Sequence, residues 1–189
     1  MKYVIGTVIA ALALLGSTVA QSALITYEGT ITPSATVGGS IGGFGWVRED
    51  ATDVDFWRFM GIAGNSVTIR GTRLNVALDP ALDLYFGTTT ADDSLFRTGQ
   101  SWGGMQFLVS ADDEVDAPPG GPFGDPLISF LRLPFTGNYT IAIGGAGSVG
   151  EGPYAYSLSV QVVPIPGTAW LVLAGLAGIA RTRRRSHLQ

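Results

Sequence analysis

The sequence YAYSLSVQV, residues 154–162, places a large apolar side chain at every second position and a small or polar one between. Successive side chains of a β-strand point to opposite faces, so this period of two predicts a strand with one buried and one exposed face. The same pattern recurs over shorter lengths, which indicates that strands make up most of the chain. These further strand candidates are residues 24–32, 57–59, 67–69, 82–86, 105–109 and 139–143.

Turn signals separate the predicted strands, among them Asp79-Pro80 and the PPGG sequence of residues 118–121. Residues 127–133 are apolar on both faces, which is typical of a central strand. The glycine-rich residues 38–45 are predicted to form a mobile loop. No segment between residues 23 and 162 has the period of an amphipathic helix. We therefore predict one all-β domain over residues 23–162, an antiparallel β-sandwich or jelly roll.

The first 22 residues have the form of a secretory signal peptide. Lys2 precedes an apolar run at residues 3–15, and small residues follow up to Ser22. Cleavage after Ala20 or after Ser22 fits this pattern. The alternative is a membrane helix, which the shortness of the run disfavours. We therefore expect export by the Sec machinery, with this signal helix outside the folded domain.

Residues 163–189 form a second segment outside the domain. Pro164 and Pro166 end the preceding strand, because proline lacks a backbone N–H and fixes φ. An uncharged run at residues 169–180 and then an arginine cluster follow, which is the order of a membrane helix with a cytoplasmic end. A helix over residues 167–180 would rise about 20 Å against a hydrocarbon core of roughly 30 Å, so the span is short. The alternative is a buried soluble helix, which four arginines at one end disfavour.

The tail contains, in order, Val163, Pro164, Ile165, Pro166, Trp170, Arg181, Arg183, Arg184 and Arg185. This order resembles the sorting signal of PEP-CTERM proteins, in which a Val-Pro-x-Pro motif precedes a hydrophobic helix and an arginine cluster. Ile165 stands where the glutamate of that family would be. The resemblance implies transient insertion in the inner membrane of a Gram-negative, exopolysaccharide-producing bacterium and cleavage by an exosortase. It implies a destination at the cell surface or in the extracellular matrix, and no activity.

The charge of the domain excludes several functions. Between the two terminal segments there are six arginines and fifteen acidic residues, a formal charge of −9. A surface of this sign does not suit nucleic acid, which is bound through basic phosphate contacts. The chain has no cysteine, its one lysine is Lys2, and its one histidine is His187. Catalytic triads, a Ser-Lys dyad and histidine or cysteine zinc sites are therefore excluded from the domain, and no enzyme is predicted.

Three segments in the domain carry a second resemblance: DVDFWRF at residues 53–59, AGNSVTI at 63–69 and LDPALDLY at 78–85. With weaker pieces at residues 125–130 and 137–141, they resemble in order the bacterial pre-peptidase C-terminal domain. That family implies a small jelly roll on secreted proteins, with a role in binding or maturation rather than catalysis. The acidic stretch that often precedes the first of these strands is missing before Glu49.

Two acidic groups are candidate calcium sites, because calcium takes carboxylate oxygens as ligands. The first is the loop of Asp112, Asp113, Glu114 and Asp116. It lacks the glycine and the terminal glutamate of an EF-hand, and a solvated acidic loop is the alternative. The second group lies at the start of a strand, where a turn capped by Asp53 is the alternative. Its members are Glu49, Asp50, Asp53 and Asp55.

These observations predict an exported, non-catalytic protein with a structural or binding role in the envelope or the exopolysaccharide. One alternative is a calcium-dependent carbohydrate-binding module. Trp46 and Trp102, each beside glycine, are candidates for stacking on sugars, and burial in the core is the alternative for both. A carboxylate glycosidase, which needs two carboxyl groups at a defined separation, is the remaining alternative.

Overall fold

The computed structural model describes residues 24–42, 54–91, 96–116, 123–147, 150 and 152–164. These residues form strands and loops without a helix, which confirms the predicted all-β class. The strands are β1 (Tyr27–Thr30), β2 (Thr36–Ile41), β3 (Asp55–Gly61), β4 (Ser66–Arg73), β5 (Pro80–Phe86), β6 (Gln106–Ala111), β7 (Val115–Asp116), β8 (Gly124–Asp125), β9 (Leu127–Arg132), β10 (Gly137–Gly145) and β11 (Tyr154–Val163).

Nine of these strands form the two sheets of a sandwich. The five-stranded sheet has the order β1-β3-β10-β5-β6, and the four-stranded sheet has the order β2-β11-β4-β9. The short strands β7 and β8 pair only with each other. All neighbours are antiparallel except β1 and β3, which are parallel, so the predicted antiparallel sandwich has one parallel edge.

The main core lies between the two sheets. The inward positions of β11 are Tyr156, Leu158 and Val160, all fully buried, as the alternation of residues 154–162 predicts. Burying a side chain such as Leu158 contributes about 1.5–3 kcal/mol. A second apolar cluster covers the outer face of the five-stranded sheet, where residues 96–105 pack on Phe56 and Tyr85.

Two sequence predictions about single segments are wrong. Residues 127–133 do not form a central strand, because β9 is an edge strand and a bulge opposite Thr68 turns Phe130 outward, leaving it 72% exposed. The glycine-rich stretch is not a loop at residues 38–41, which belong to β2 and pair with β11. The two predictions used apolar composition and glycine content. Neither property determines which strands pair by hydrogen bonds, so neither could place these two edge strands.

The two ends of the sandwich carry different loops and chain ends. At one end, the loop that follows β4 and the loop that follows β6 lie beside the start of β11. At the other end β11 finishes at Val163, which pairs with Ser66 at the start of β4. The described ranges contain no apolar helix of membrane-spanning length. The predicted signal peptide and residues 165–189 of the tail lie outside these ranges.

Candidate functional site

Three carboxylates meet at the loop end of the five-stranded sheet. Asp79 directly precedes β5, and Asp112 and Asp113 directly follow β6. Because Leu82 of β5 pairs with Ala111 of β6, the start of one strand lies beside the end of the other. One carboxylate oxygen from each of the three residues lies within 4.8 Å of the other two. We call Asp79, Asp112 and Asp113 the acidic cluster.

Burial and like charges both act on the carboxylates of the acidic cluster. Burial, and then the charges of Asp112 and Asp113, raise the pKa of Asp79 to about 6, against an opposing effect of Arg73. Burial and the neighbouring Asp113 and Glu114 charges also raise the pKa of Asp112. Converging oxygen ligands of this kind suit a hard divalent cation, whose charge would relieve the repulsion.

Glu114, a predicted ligand, has another role in the structure. Its carboxylate accepts hydrogen bonds from the backbone N–H groups of Asp112, at 2.9 Å, and Leu127, at 3.0 Å. It therefore ties the acidic loop to the start of β9. Asp113 also accepts a bond, from the N–H of Gly124 at 2.6 Å. Asp116 is the second residue of β7.

Asp55, the member of the second predicted group that the structure describes, does not lie in the acidic cluster. Glu49, Asp50 and Asp53 lie outside the described residues, and Asp55 begins β3, which β10 separates from β5. The buried hydroxyl of Tyr156 donates to Asp55 Oδ2 at 2.6 Å and accepts from Trp57 Nε1 at 2.7 Å. Burial, assisted by the charge of Glu28, raises the pKa of Asp55 to about 6, although the Tyr156 bond opposes this. The network joins the two sheets across the core.

The sequence analysis did not predict a buried ion pair that lies near the acidic cluster. Asp125 is fully buried and accepts from the backbone N–H of Arg73 at 3.2 Å. Its carboxylate also lies 4.0 Å from Arg73 Nε and 3.5 Å from Arg70 Nη2. Arg73 is itself only 2% exposed. Its buried charge offsets part of the negative charge that Asp79 and Asp125 bring to this end.

Asp83 is a second carboxylate that sequence reasoning missed. It is fully buried on β5, and its Oδ2 accepts bonds from the Tyr85 hydroxyl at 2.8 Å, the Thr98 hydroxyl at 3.1 Å and the Gly99 N–H at 2.8 Å. Its Oδ1 accepts a bond from the Ser110 hydroxyl. Asp83 therefore fixes residues 96–105 against the sheet. A charge in the middle of an apolar strand was the available signal, because a carboxylate there must find donors.

Residues 96–105, which we call the covering segment, pack on the outer face of the five-stranded sheet. Trp102 belongs to this segment and not to an open binding face. It is 7% exposed and stacks on Phe56 with ring centroids 5.9 Å apart. This confirms core burial, the alternative to sugar stacking, for this residue. Trp46 lies outside the described residues.

Neither a known family model nor a curated protein matches the sequence. Among solved structures, the chain is similar to CorA, described as a surface-associated copper-binding protein important in copper acquisition by Methylomicrobium album BG8. The TM-score is 0.53 at 15% identity, over 73% of this chain and 98% of that one. At this identity the likeness shows a shared fold alone.

Two further structures are more distant. The secreted copper-binding protein MopE of Methylococcus capsulatus gives a TM-score of 0.47 at 12% identity, over 70% of this chain and 85% of that one. The pre-peptidase C-terminal domain of a Bacillus anthracis collagenase gives 0.40 at 14% identity, over 72% and 98%. These two scores are too low to support a conclusion about this chain. The resemblance to the pre-peptidase C-terminal domain therefore stays a prediction.

Proposed function

We propose that this chain is an exported, non-catalytic protein whose β-sandwich works in the envelope or exopolysaccharide matrix after processing by an exosortase. The observation that supports this most is the position of Val163. It is the last residue of β11 and the first residue of the proline motif. All strand pairs of the two described sheets are formed by residues 27–163, so a cut beyond the motif leaves every pair intact.

The direction in which the chain leaves the domain fits the same proposal. Pro164 follows β11 directly and has no N–H with which to extend the ladder. The tail therefore departs beside the start of β4, at the end opposite the acidic cluster.

The mass of the mature protein, from cells with and without exosortase, tests this proposal. We expect loss of the first 20 or 22 residues in both strains and loss of the tail only where exosortase is present. An intact C-terminus in both strains would overturn the processing step. Turnover of a polysaccharide that Asp112→Asn abolishes would overturn the non-catalytic role and favour a carboxylate glycosidase.

The acidic cluster favours a second candidate, a calcium-dependent binding module. Its oxygen ligands suit calcium, magnesium or manganese, whereas copper prefers imidazole and sulfur ligands. The domain has no histidine or cysteine. We therefore propose calcium and not copper as the cation, with Asp79, Asp112 and Asp113 as its ligands.

Calorimetry in EDTA and in excess calcium tests the cation site. Calcium at 100 times its Kd would stabilise the folded state by about 2.7 kcal/mol, which raises the Tm of a domain of this size by about 5–10 °C. The double variant Asp112→Asn/Asp113→Asn should lose this rise. Glu28→Gln, a change of an exposed acid on β1, should keep it. An equal Tm with and without calcium would contradict the site.

A further inference from the structure

The two sheets differ in how their outer faces are covered. The outer face of the five-stranded sheet lies under the second apolar cluster, to which Phe96, Trp102 and Met105 contribute. No described residue forms such a cover on the four-stranded sheet. We call the outer surface of that sheet the open face. A sandwich with one open face has a flat surface about four strands wide, with neighbouring strands about 4.8 Å apart.

Most of the side chains that strands β2, β11 and β4 turn to the open face carry a hydroxyl group, and none of these described side chains is acidic. In a domain of formal charge −9, this absence separates the face electrostatically from the rest of the surface. Rows across the sheet follow the strand register, for example Thr36, Ser159 and Arg70. The outward positions are Thr36, Gly38 and Ser40 on β2, Ala155, Ser157, Ser159, Gln161 and Val163 on β11, and Ser66, Thr68, Arg70 and Thr72 on β4.

The edge strand β9 adds an aromatic ring and a positive charge to the open face. Arg132 is exposed and pairs in register with Ser66. Phe130, at the bulge opposite Thr68, is 72% exposed and has a φ of 49°. A non-glycine residue in the left-handed region costs about 1–2 kcal/mol. Most of the Phe130 residue is nevertheless in contact with solvent.

We infer that the open face binds a carboxylate-bearing polysaccharide. Serine and threonine hydroxyls and the Gln161 amide can both donate and accept hydrogen bonds with sugar hydroxyls. The ring of Phe130 can stack on the apolar face of a sugar, and the Arg132 guanidinium matches a carboxylate in a two-point contact. This inference rests on the proposed matrix function and names the class of partner.

The charge distribution allows such a polyanion on this face. Arg132 pairs near the start of β4, and the acidic cluster lies beyond its end at Arg73. Arg73 lies seven residue steps along β4 from Ser66, about 23 Å at ~3.3 Å per residue. The Debye length is about 8 Å at physiological salt. The acidic cluster is therefore largely screened from a carboxylate bound at Arg132.

Binding of polygalacturonate by the purified mature protein tests the inference, with dextran as the neutral comparison. We expect binding that weakens with added salt, and an affinity at least about fivefold lower in Phe130→Asn and in Arg132→Gln. Arg58→Gln makes the same charge change on the other sheet and should bind as the wild type does. Phe130→Asn should keep or raise the Tm, because asparagine tolerates a positive φ.

Three results of the binding experiment would overturn the inference. They are the absence of polygalacturonate binding, equal binding in both variants, and equal binding of dextran. Dimerisation that depends on Phe130 would also overturn it, in favour of a second copy on the open face. If the tail is removed by exosortase but no polygalacturonate binds, this inference fails and the proposed processing stands.

Discussion

Asp79 and Asp83 are separated by three residues, yet the structure treats their carboxylates in opposite ways. Asp83 is fully buried and receives four hydrogen bonds from hydroxyl and N–H donors. Asp79 lies among other carboxylates, and its pKa is raised to about 6. Charge and residue type are the same, so the surroundings distinguish a carboxylate held by four donors from one that lies among like charges.

The largest expected effect is at Asp83. Asp83→Ala removes the acceptor from four donors, two of which belong to the covering segment at Thr98 and Gly99. We expect the free energy of unfolding to fall by about 3 kcal/mol or more, because buried donors would lose their partner. Urea unfolding measures this change. Glu28→Gln, on the exposed surface, should stay within about 0.5 kcal/mol, and an equally small effect at Asp83 would remove the distinction drawn above.

Asp55, with a single side-chain donor from Tyr156, is intermediate between the two. Gly39 on β2 leaves room for this bond, since a Cβ there would contact the Tyr156 hydroxyl and lie 2.6 Å from Asp55 Oδ2. Gly39→Ala should cost about 1–3 kcal/mol by forcing the network apart. Gly38→Ala is the matched control, because its Cβ would meet only the Tyr156 carbonyl at 3.4 Å. Equal Tm values for the two variants would contradict this account.

The pH dependence of stability sharpens the comparison further. The pKa of Asp55 is about 6 in the folded protein against 3.8 for the free side chain, so the folded state binds more protons between these values. The free energy of unfolding should therefore fall as pH rises from about 4 to about 6, and then level off. Asp55→Asn keeps an oxygen that can accept from Tyr156 but cannot ionise. The free energy of unfolding of this variant, relative to that of the wild type, should therefore be higher at pH 7.5 than at pH 4.5. Denaturation in EDTA at both pH values measures this, and parallel curves would show that Asp55 does not contribute.

The smallest expected effect has the opposite sign to that of Asp83. Asp112→Asn removes one like charge from the acidic cluster and should raise the free energy of unfolding in EDTA by a few tenths of a kcal/mol, roughly the size of a surface charge interaction. The same variant should weaken any stabilisation by calcium. A loss of stability in EDTA would mean that the Asp112 carboxylate has a structural role like that of Asp83.

Much of the fold could be predicted from local pattern. The alternation at residues 154–162 defines the central strand β11, because burial of one face imposes a period of two. The positions of the edge strands could not be predicted this way. Phe130 lies within an apolar run, and its exposure depends on a bulge that only the register with Thr68 reveals. Position 39 of β2 suits glycine because Tyr156 and Asp55 occupy the space that a Cβ would need.

The candidate site was predictable only in part. Asp112 and Asp113 attract notice because they are adjacent acids in one loop. Asp79 is 33 residues earlier and reaches them only through the pairing of β5 with β6. Such long-range partners follow from topology, which the sequence alone does not specify. Glu114 shows the converse, since its side chain turns to backbone N–H groups instead of the cluster.

The exit of the tail at Val163 has a mechanical consequence. Strand β11 is flanked by β2 and β4, and hydrogen bonds of antiparallel pairs run perpendicular to the strands. Tension on the tail would therefore act along the axis of β11 and shear these bonds together instead of opening them one at a time. If the domain is pulled before the tail is cut, its rate of forced rupture would be governed by the unfolding barrier and not by equilibrium stability.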